Sequence, residues 1–228
     1  KRARATAALC QDAGIGIAAY GSYYRLGSSV SRNEKTSTSG KKGEPEFEEI
    51  LETAVALGAP RIRVWAGKKG SAETNPEERG RIVRETRSIA EQAARFGITV
   101  CFEYHEDSLT DTGVSAQALL QEADHPRVRS YWQPLVGHGV EENIAALRGI
   151  AEKLEAIHVT QRGPEGRRLP LEEGSNEWQR YLGMAAEKAG PPVVPVMLEF
   201  LTEESSERLM EDAAVLKKLA RESSWVQR

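Results

Sequence analysis

The sequence predicts an α/β protein in one domain spanning 1–228, built on a parallel sheet with helical crossovers. Three observations predict it. Short runs rich in β-branched and aromatic residues alternate six times with stretches of helical period. The helical stretches carry start and stop signals of their own. Four of the strand runs keep one apolar parity and finish on a polar residue of the other parity. Six such units fit either an open doubly wound sheet or most of an eight-fold barrel, and periodicity alone does not choose between them.

The opening KRARATAALCQDAG reads as the second half of a helix capped at Gly14, its basic residues forming a solvated face. IGIAAY follows as a short apolar run with strand character and leads into GSYYRLGSS. Residues 27–45 are rich in Ser, Gly and Lys, lack a hydrophobic period, and read as a mobile loop. Phe47, Ile50, Leu51, Ala54 and Val55 then mark one face of a helix closed by Gly58. RIRVW (61–65) is the next strand, with Ile62 and Val64 on one face and Arg61, Arg63 and Trp65 on the other. Asn75-Pro76-Glu77-Glu78 starts a helix that runs to Phe96. Asn75 is the cap, Pro76 suits the first turn, and Glu78 stands where a capping-box acid belongs.

Gly97 to His105, GITVCFEYH, is the stretch around which the rest is organised. Thr99, Cys101, Glu103 and His105 share one face, while Ile98, Val100, Phe102 and Tyr104 take the face a helix would cover. A helix near 115–123 and the strand RVRSYWQ (127–133) come next. Glu141 to Leu154 reads as a helix, followed by the strand EAIHVT. Ser175 caps a helix carrying Trp178, Tyr181, Leu182 and Ala185, which Gly190-Pro191 stops. VVPVMLEF is the last strand, and Ser205 opens a final helix with Lys217 and Lys218 in its closing turns.

Composition narrows the function. Hydrophobic residues make up 39% of 228, enough for a sizeable core. The net charge of −3 gives no basic footprint for nucleic acid. The two cysteines build no disulfide framework, so a reducing cytoplasm is the expected compartment. No apolar run reaches the length of a membrane helix, and no signal peptide is expected.

Chemistry concentrates at four strand ends: Glu103, Gln133, His158 and Glu199. Gln133 shares a face with Tyr131 and Arg129, His158 with Ala156 and Thr160, and Glu199 with Met197. In a barrel this polar parity points inward, and ligands gather at the C-terminal ends of the strands. Two carboxylates, an imidazole and an amide oxygen suit a divalent cation such as Mn²⁺, Mg²⁺, Co²⁺ or Zn²⁺. Such a cation would polarise a substrate carbonyl and hydroxyl while a carboxylate moves a proton. The competing reading of any one of these residues is a hydrogen-bonded structural role.

The order of strand-end Glu, polar ligand, His and Glu resembles that of the xylose isomerase-like barrels, which include sugar-phosphate isomerases, ketose 3-epimerases and inosose dehydratase. Intervals of 30, 25 and 41 residues separate the four positions. The segments LGAPRIRVWAG, FEYHEDSLTDT, YWQP, EAIHVTQR and MLEF look like the sugar phosphate isomerase/epimerase group, and the likeness covers nearly the whole chain from Gly14. It implies a (β/α)₈ TIM barrel with one divalent metal held by Glu103, Gln133, His158 and Glu199. Glu103 and Glu199 would also be the catalytic acid/base pair. Arg162 would hold a substrate oxygen, and His105, Trp65 and Tyr20 would line the pocket, although Trp65 equally suits barrel filling.

Two departures from the family stand out. The second ligand is usually Asp, and a neutral Gln133 should weaken the metal. Matched to the family, IGIAAY falls at the third strand, so the first two strands and one helix have no counterpart here. An open barrel exposes strand edges, so the chain is expected to be a fragment, to pair with a second copy, or to lack the substrate contacts that the early strands supply.

The leading expectation is therefore a metal-dependent isomerase or epimerase of a small sugar, sugar phosphate or polyol, with an inosose dehydratase-like lyase on the same scaffold as an alternative. A sugar-binding or degenerate barrel without metal turnover is another, motivated by Gln133. An AP endonuclease-like nuclease fits poorly with four His and a net charge of −3. The loop 161–174, with Arg162, Arg167 and Arg168, reads either as a clamp for a phosphate or acid group or as a solvated loop.

Overall fold

The computed structural model describes residues 1–27, 45–188 and 194–223. They fall into two compact units, 1–129 and 130–228. Residues 28–44, which include most of the stretch read as a loop, lie outside the described residues, as does the Gly190-Pro191 stop.

The first unit begins with α1 (Arg2–Asp12), which buries no residue, as its solvated reading requires. Gly14 closes it at φ 67°. β1 occupies Tyr20–Arg25, so of IGIAAY only Tyr20 belongs to a strand. The correction has a local cause. Arg61 Nη1 donates to the Ala18 carbonyl, a side chain taking the place of a ladder partner, and Ile15 is exposed. β1 also bulges: Gly21 pairs with Arg63 and Tyr24 with Val64, leaving Ser22 and Tyr23 as extra residues. Tyr23 lies at φ 55°, and Ser22 Oγ donates to the Arg63 carbonyl across 2.6 Å.

α2 (Phe47–Leu57) and β2 (Arg61–Trp65) follow the predicted bounds closely. α3 (Pro76–Ala94) has the predicted capping box, with Asn75 and Glu78 each bonding the other's main-chain N–H. β2 pairs in parallel with both β1 and β3 (Thr99–Phe102). The residues assigned to the helix-facing side of β2 and β3, Ile62, Val64, Val100 and Phe102, have no exposed surface. α4 (Gly113–Ala123) is capped by the Thr112 hydroxyl.

β4 (Val128–Trp132) leads into the second unit. There α5 (Val140–Ile150) stops short of the predicted Leu154. A tight 3₁₀ turn at Ala151–Lys153 intervenes, and Leu154 already begins β5 (Leu154–Val159). Ser175 is not a cap. A 3₁₀ turn at Leu171–Gly174 runs directly into α6 (Ser175–Lys188), and the Ser175 hydroxyl donates back to the Glu172 carbonyl. β6 covers only Val196–Leu198, and α7 (Ser206–Glu222) is capped by Ser205 as predicted. β4, β5 and β6 pair in parallel. Trp132 stacks edge-on against Trp178 and Tyr181 of α6, which makes it the helix-facing residue its parity predicted.

Strand order follows chain order from β1 to β6. A doubly wound sheet reverses its order at a switch point, so the barrel alternative holds. Six parallel strands of the TIM-barrel fold are present among the described residues. No helix among them is long and apolar enough to cross a membrane.

Candidate active site

Glu103 is the centre of the first unit's polar cluster. β3 ends at Phe102, yet the Glu103 N–H still donates to the Val64 carbonyl across 3.0 Å. The sequence predicts a strand running on to His105. It stops earlier because side-chain hydroxyls capture the next carbonyls. Thr110 Oγ1 donates to the Glu103 carbonyl across 2.5 Å, and Ser108 Oγ to the His105 carbonyl across 2.7 Å. The chain then turns at Asp107, φ 54°. Backbone pinning on both sides leaves the Glu103 side chain few orientations.

Glu103 is 4% exposed as a residue, and both carboxylate oxygens accept bonds. Arg63 Nη1 donates to Oε1 across 2.9 Å, and the indole Nε1–H of Trp65 donates to Oε2. A buried carboxylate requires such partners. Trp65 in turn stacks on His105, with ring centroids 4.6 Å apart, and lies 3.5 Å beneath the Arg25 guanidinium. His105 Nδ1 is 2.6 Å from the Glu106 carbonyl. A carbonyl only accepts, so Nδ1 carries a proton in this contact.

Glu103, Trp65 and His105, all predicted, thus touch in series. Tyr20 sits at the first position of β1, in register with Ile62 rather than with Trp65. Near Trp65 the structure instead places Tyr23, which the bulge aims toward both Trp65 and the Arg63 guanidinium, 4.9 Å from its ring.

In the second unit, Gln133, His158 and Glu199 converge. His158 Nδ1 lies 3.2 Å from Gln133 Oε1 and 3.2 Å from Glu199 Oε2. Tyr131 packs edge-on against the imidazole with centroids 5.1 Å apart. Glu199 is held in the same manner as Glu103: its N–H donates to the Val159 carbonyl across 3.0 Å, and its carbonyl accepts Thr160 Oγ1 across 2.5 Å. Each glutamate therefore sits one residue beyond a strand, with its main chain fastened at both ends. Arg162 donates to the Gly166 carbonyl across 3.1 Å and lies near the Phe200 ring.

An imidazole nitrogen, a carboxylate oxygen and an amide oxygen meeting at about 3 Å form a donor set suited to a hard or borderline divalent ion. Sequence reasoning places Arg63 on the inward parity but gives it no role. Thr110, Thr160, Tyr23 and Arg25 carry no signal that singles them out.

The profile of the "Xylose isomerase-like TIM barrel" family matches residues 1–219. Among curated proteins, a 91-residue segment is 42% identical to 3-dehydroshikimate dehydratase of Bacillus anthracis; the match covers 37% of this chain and 32% of that protein, so the chain spans about a third of its length. Among solved structures, a xylose isomerase domain protein from Planctomyces limnophilus superposes with a TM-score of 0.75 at 18% identity, covering 97% of this chain and 84% of the other. An L-ribulose 3-epimerase gives 0.66 at 15% identity over 99% and 83%. A barrel protein from Mycobacterium smegmatis in complex with magnesium gives 0.64 at 17% over 95% and 77%. At these identities the structural likeness concerns the fold.

Proposed function

Because this chain belongs to the xylose isomerase-like TIM barrel family, we propose that it abstracts a proton from the carbon beside a carbonyl in a small polyhydroxylated substrate, as a metal-dependent isomerase or epimerase. Glu103, Gln133, His158 and Glu199 would hold one Mn²⁺, Mg²⁺, Co²⁺ or Zn²⁺. The observation that carries the reading is the convergence of Gln133 Oε1 and Glu199 Oε2 on His158 Nδ1. When bound, the cation supplies Lewis acidity that polarises the substrate carbonyl.

The protein's residues do the rest. Glu199 removes the proton and Glu103 returns it, or the reverse, and the fastened backbones hold each carboxylate ready for the reacting carbon. Arg63 and Trp65 fix the rotamer of Glu103. His105 Nε2 hydrogen-bonds a substrate hydroxyl, and Trp65 offers an apolar wall to the carbon skeleton.

The test is metal content after dialysis of wild type, His158→Ala and Glu199→Ala, together with deuterium incorporation beside the carbonyl of ketoses in D₂O. Stoichiometric metal lost in both variants, with exchange only in the wild type, is the expected result. A metal-free wild type without exchange would overturn the proposal.

The 42% identical segment favours a second reading, dehydration. There the same carboxylate breaks the C–H bond, the neighbouring C–O bond breaks, a C=C bond forms, and the proton and hydroxide depart as water. Incubation with 3-dehydroshikimate, followed by chromatography of the products, separates the two readings: epimerisation preserves mass and dehydration loses one water.

A further inference from the structure

After β5 the chain makes a tight hairpin that sets two arginines side by side. Arg162 and Arg168 are partners in an antiparallel bridge. Gly163 N–H donates to the Arg167 carbonyl across 2.8 Å, and Leu169 N–H to the Gln161 carbonyl across 3.0 Å. The hairpin base is anchored: Gln161 Oε1 accepts the indole N–H of fully buried Trp178 across 2.9 Å. Gly174 leaves room for that amide, since a Cβ there would collide with Gln161 Oε1.

Directly paired like charges destabilise a strand pair. Both guanidiniums also converge on one ring, lying 5.7 Å (Arg162) and 4.7 Å (Arg168) from the Phe200 centroid. Neither has a carboxylate within salt-bridge distance among the described residues. Phe200 is itself anomalous. It is 50% exposed, and its φ of 52° is a region that bulky side chains avoid. Strain of this kind collects at ligand-binding positions, and Phe200 immediately follows Glu199.

From this paired-guanidinium hairpin braced by Phe200, we propose that Arg162 and Arg168 recognise an oxyanion, a carboxylate or a phosphate, carried by the substrate. The inference rests on the reading that places Glu199 at the reacting carbon, and it makes the substrate an acid rather than a neutral sugar. An anion between the guanidiniums offsets their repulsion and accepts forked N–H donors from each. The aromatic face holds both planar groups in place before the anion arrives.

The experiment is calorimetric binding of 3-dehydroshikimate, D-ribulose 5-phosphate and D-ribulose to the full chain, for wild type, the Arg162→Gln/Arg168→Gln double variant and Arg168→Lys, with metal content measured on each. At least one acidic probe should bind wild type more tightly than D-ribulose. It should lose about tenfold or more in the double variant and an intermediate amount in Arg168→Lys, which keeps the charge without the fork, while metal content stays unchanged. Preference for 3-dehydroshikimate identifies the anion as a carboxylate, and preference for the phosphoester identifies a phosphate. Equal binding of an acidic probe by all three proteins, or failure of wild type to bind either acidic probe, overturns the proposal. Arginine-dependent binding by a metal-free protein would sink the isomerase reading and leave this site standing.

Discussion

Arg63 donates from Nη1 to Glu103 Oε1 across 2.9 Å, and the two side chains are 10% and 5% exposed. β2 and β3 place the pair by register, since Arg63 lies opposite Cys101, two positions before Glu103. Removing one member of a buried pair strands the other charge at a cost of about 3–5 kcal/mol. Arg63→Ala should therefore lower the unfolding free energy by that order in urea titration. The Arg63→Met/Glu103→Gln double variant should recover part of it, because no ion is then left buried without a partner. Equal stability of Arg63→Ala and wild type would show that the pair contributes nothing.

Trp65 makes a separable contribution, because its ring stacks on His105 while its N–H serves Glu103. Trp65→Phe keeps most of the apolar surface and deletes the donor. Where a carboxylate binds metal, as proposed for Glu103, losing a hydrogen bond that orients it costs about 10–100-fold in metal affinity. The expected outcome is a Mn²⁺ dissociation constant raised by about tenfold or more in calorimetry, with an unchanged circular dichroism spectrum. Unchanged Mn²⁺ affinity would mean that Arg63 alone orients Glu103.

Parity along the strands is enough to bring Gln133, His158 and Glu199 together and to put Val100, Phe102 and Trp132 against helices, because a two-residue period survives any context that keeps the strand regular. It fails where regularity fails. The bulge in β1 adds residues between Gly21 and Tyr24, so a two-residue count along the strand does not single out Tyr23, whose ring meets Trp65. Arg63 shows its face but not its partner, since the carboxylate that meets it is 40 residues away and no local signal encodes that distance. The ends of β3 and β6 also run long when read from sequence. Thr110 and Thr160 divert the carbonyls of Glu103 and Glu199, and a threonine in sequence does not announce which carbonyl it will bind.

Glu78 supplies a pH-dependent element of stability. Its carboxyl titrates below its ordinary value of 4.5, chiefly through the hydrogen bond from Lys69 and next through the Asn75 N–H. A depressed folded-state value stabilises the fold above the unfolded value, and the contribution is lost as pH falls through the folded one. Glu78→Gln should therefore melt below wild type at pH 7, with the difference shrinking as the pH drops under 4.5. A constant gap across that range would show that the bond geometry, rather than the charge, does the stabilising.

Gln133 is the residue at which this chain parts from the aspartate usual in the family, and it offers the sharpest test of the ligand set. Its amide oxygen already meets His158 at 3.2 Å, so position is not the deficit; charge is. Ligand charge tunes the affinity of oxygen sites for divalent ions over orders of magnitude. Gln133→Asp shortens the side chain by one methylene and adds a full negative charge. It should tighten Mn²⁺ binding by about tenfold or more and raise the melting temperature in Mn²⁺. In chelator the same substitution should lower it, because the introduced carboxylate and Glu199 would repel each other across His158. If Mn²⁺ binds equally well to both proteins, Gln133 is no ligand, and the cation rests on Glu103, His158 and Glu199 alone.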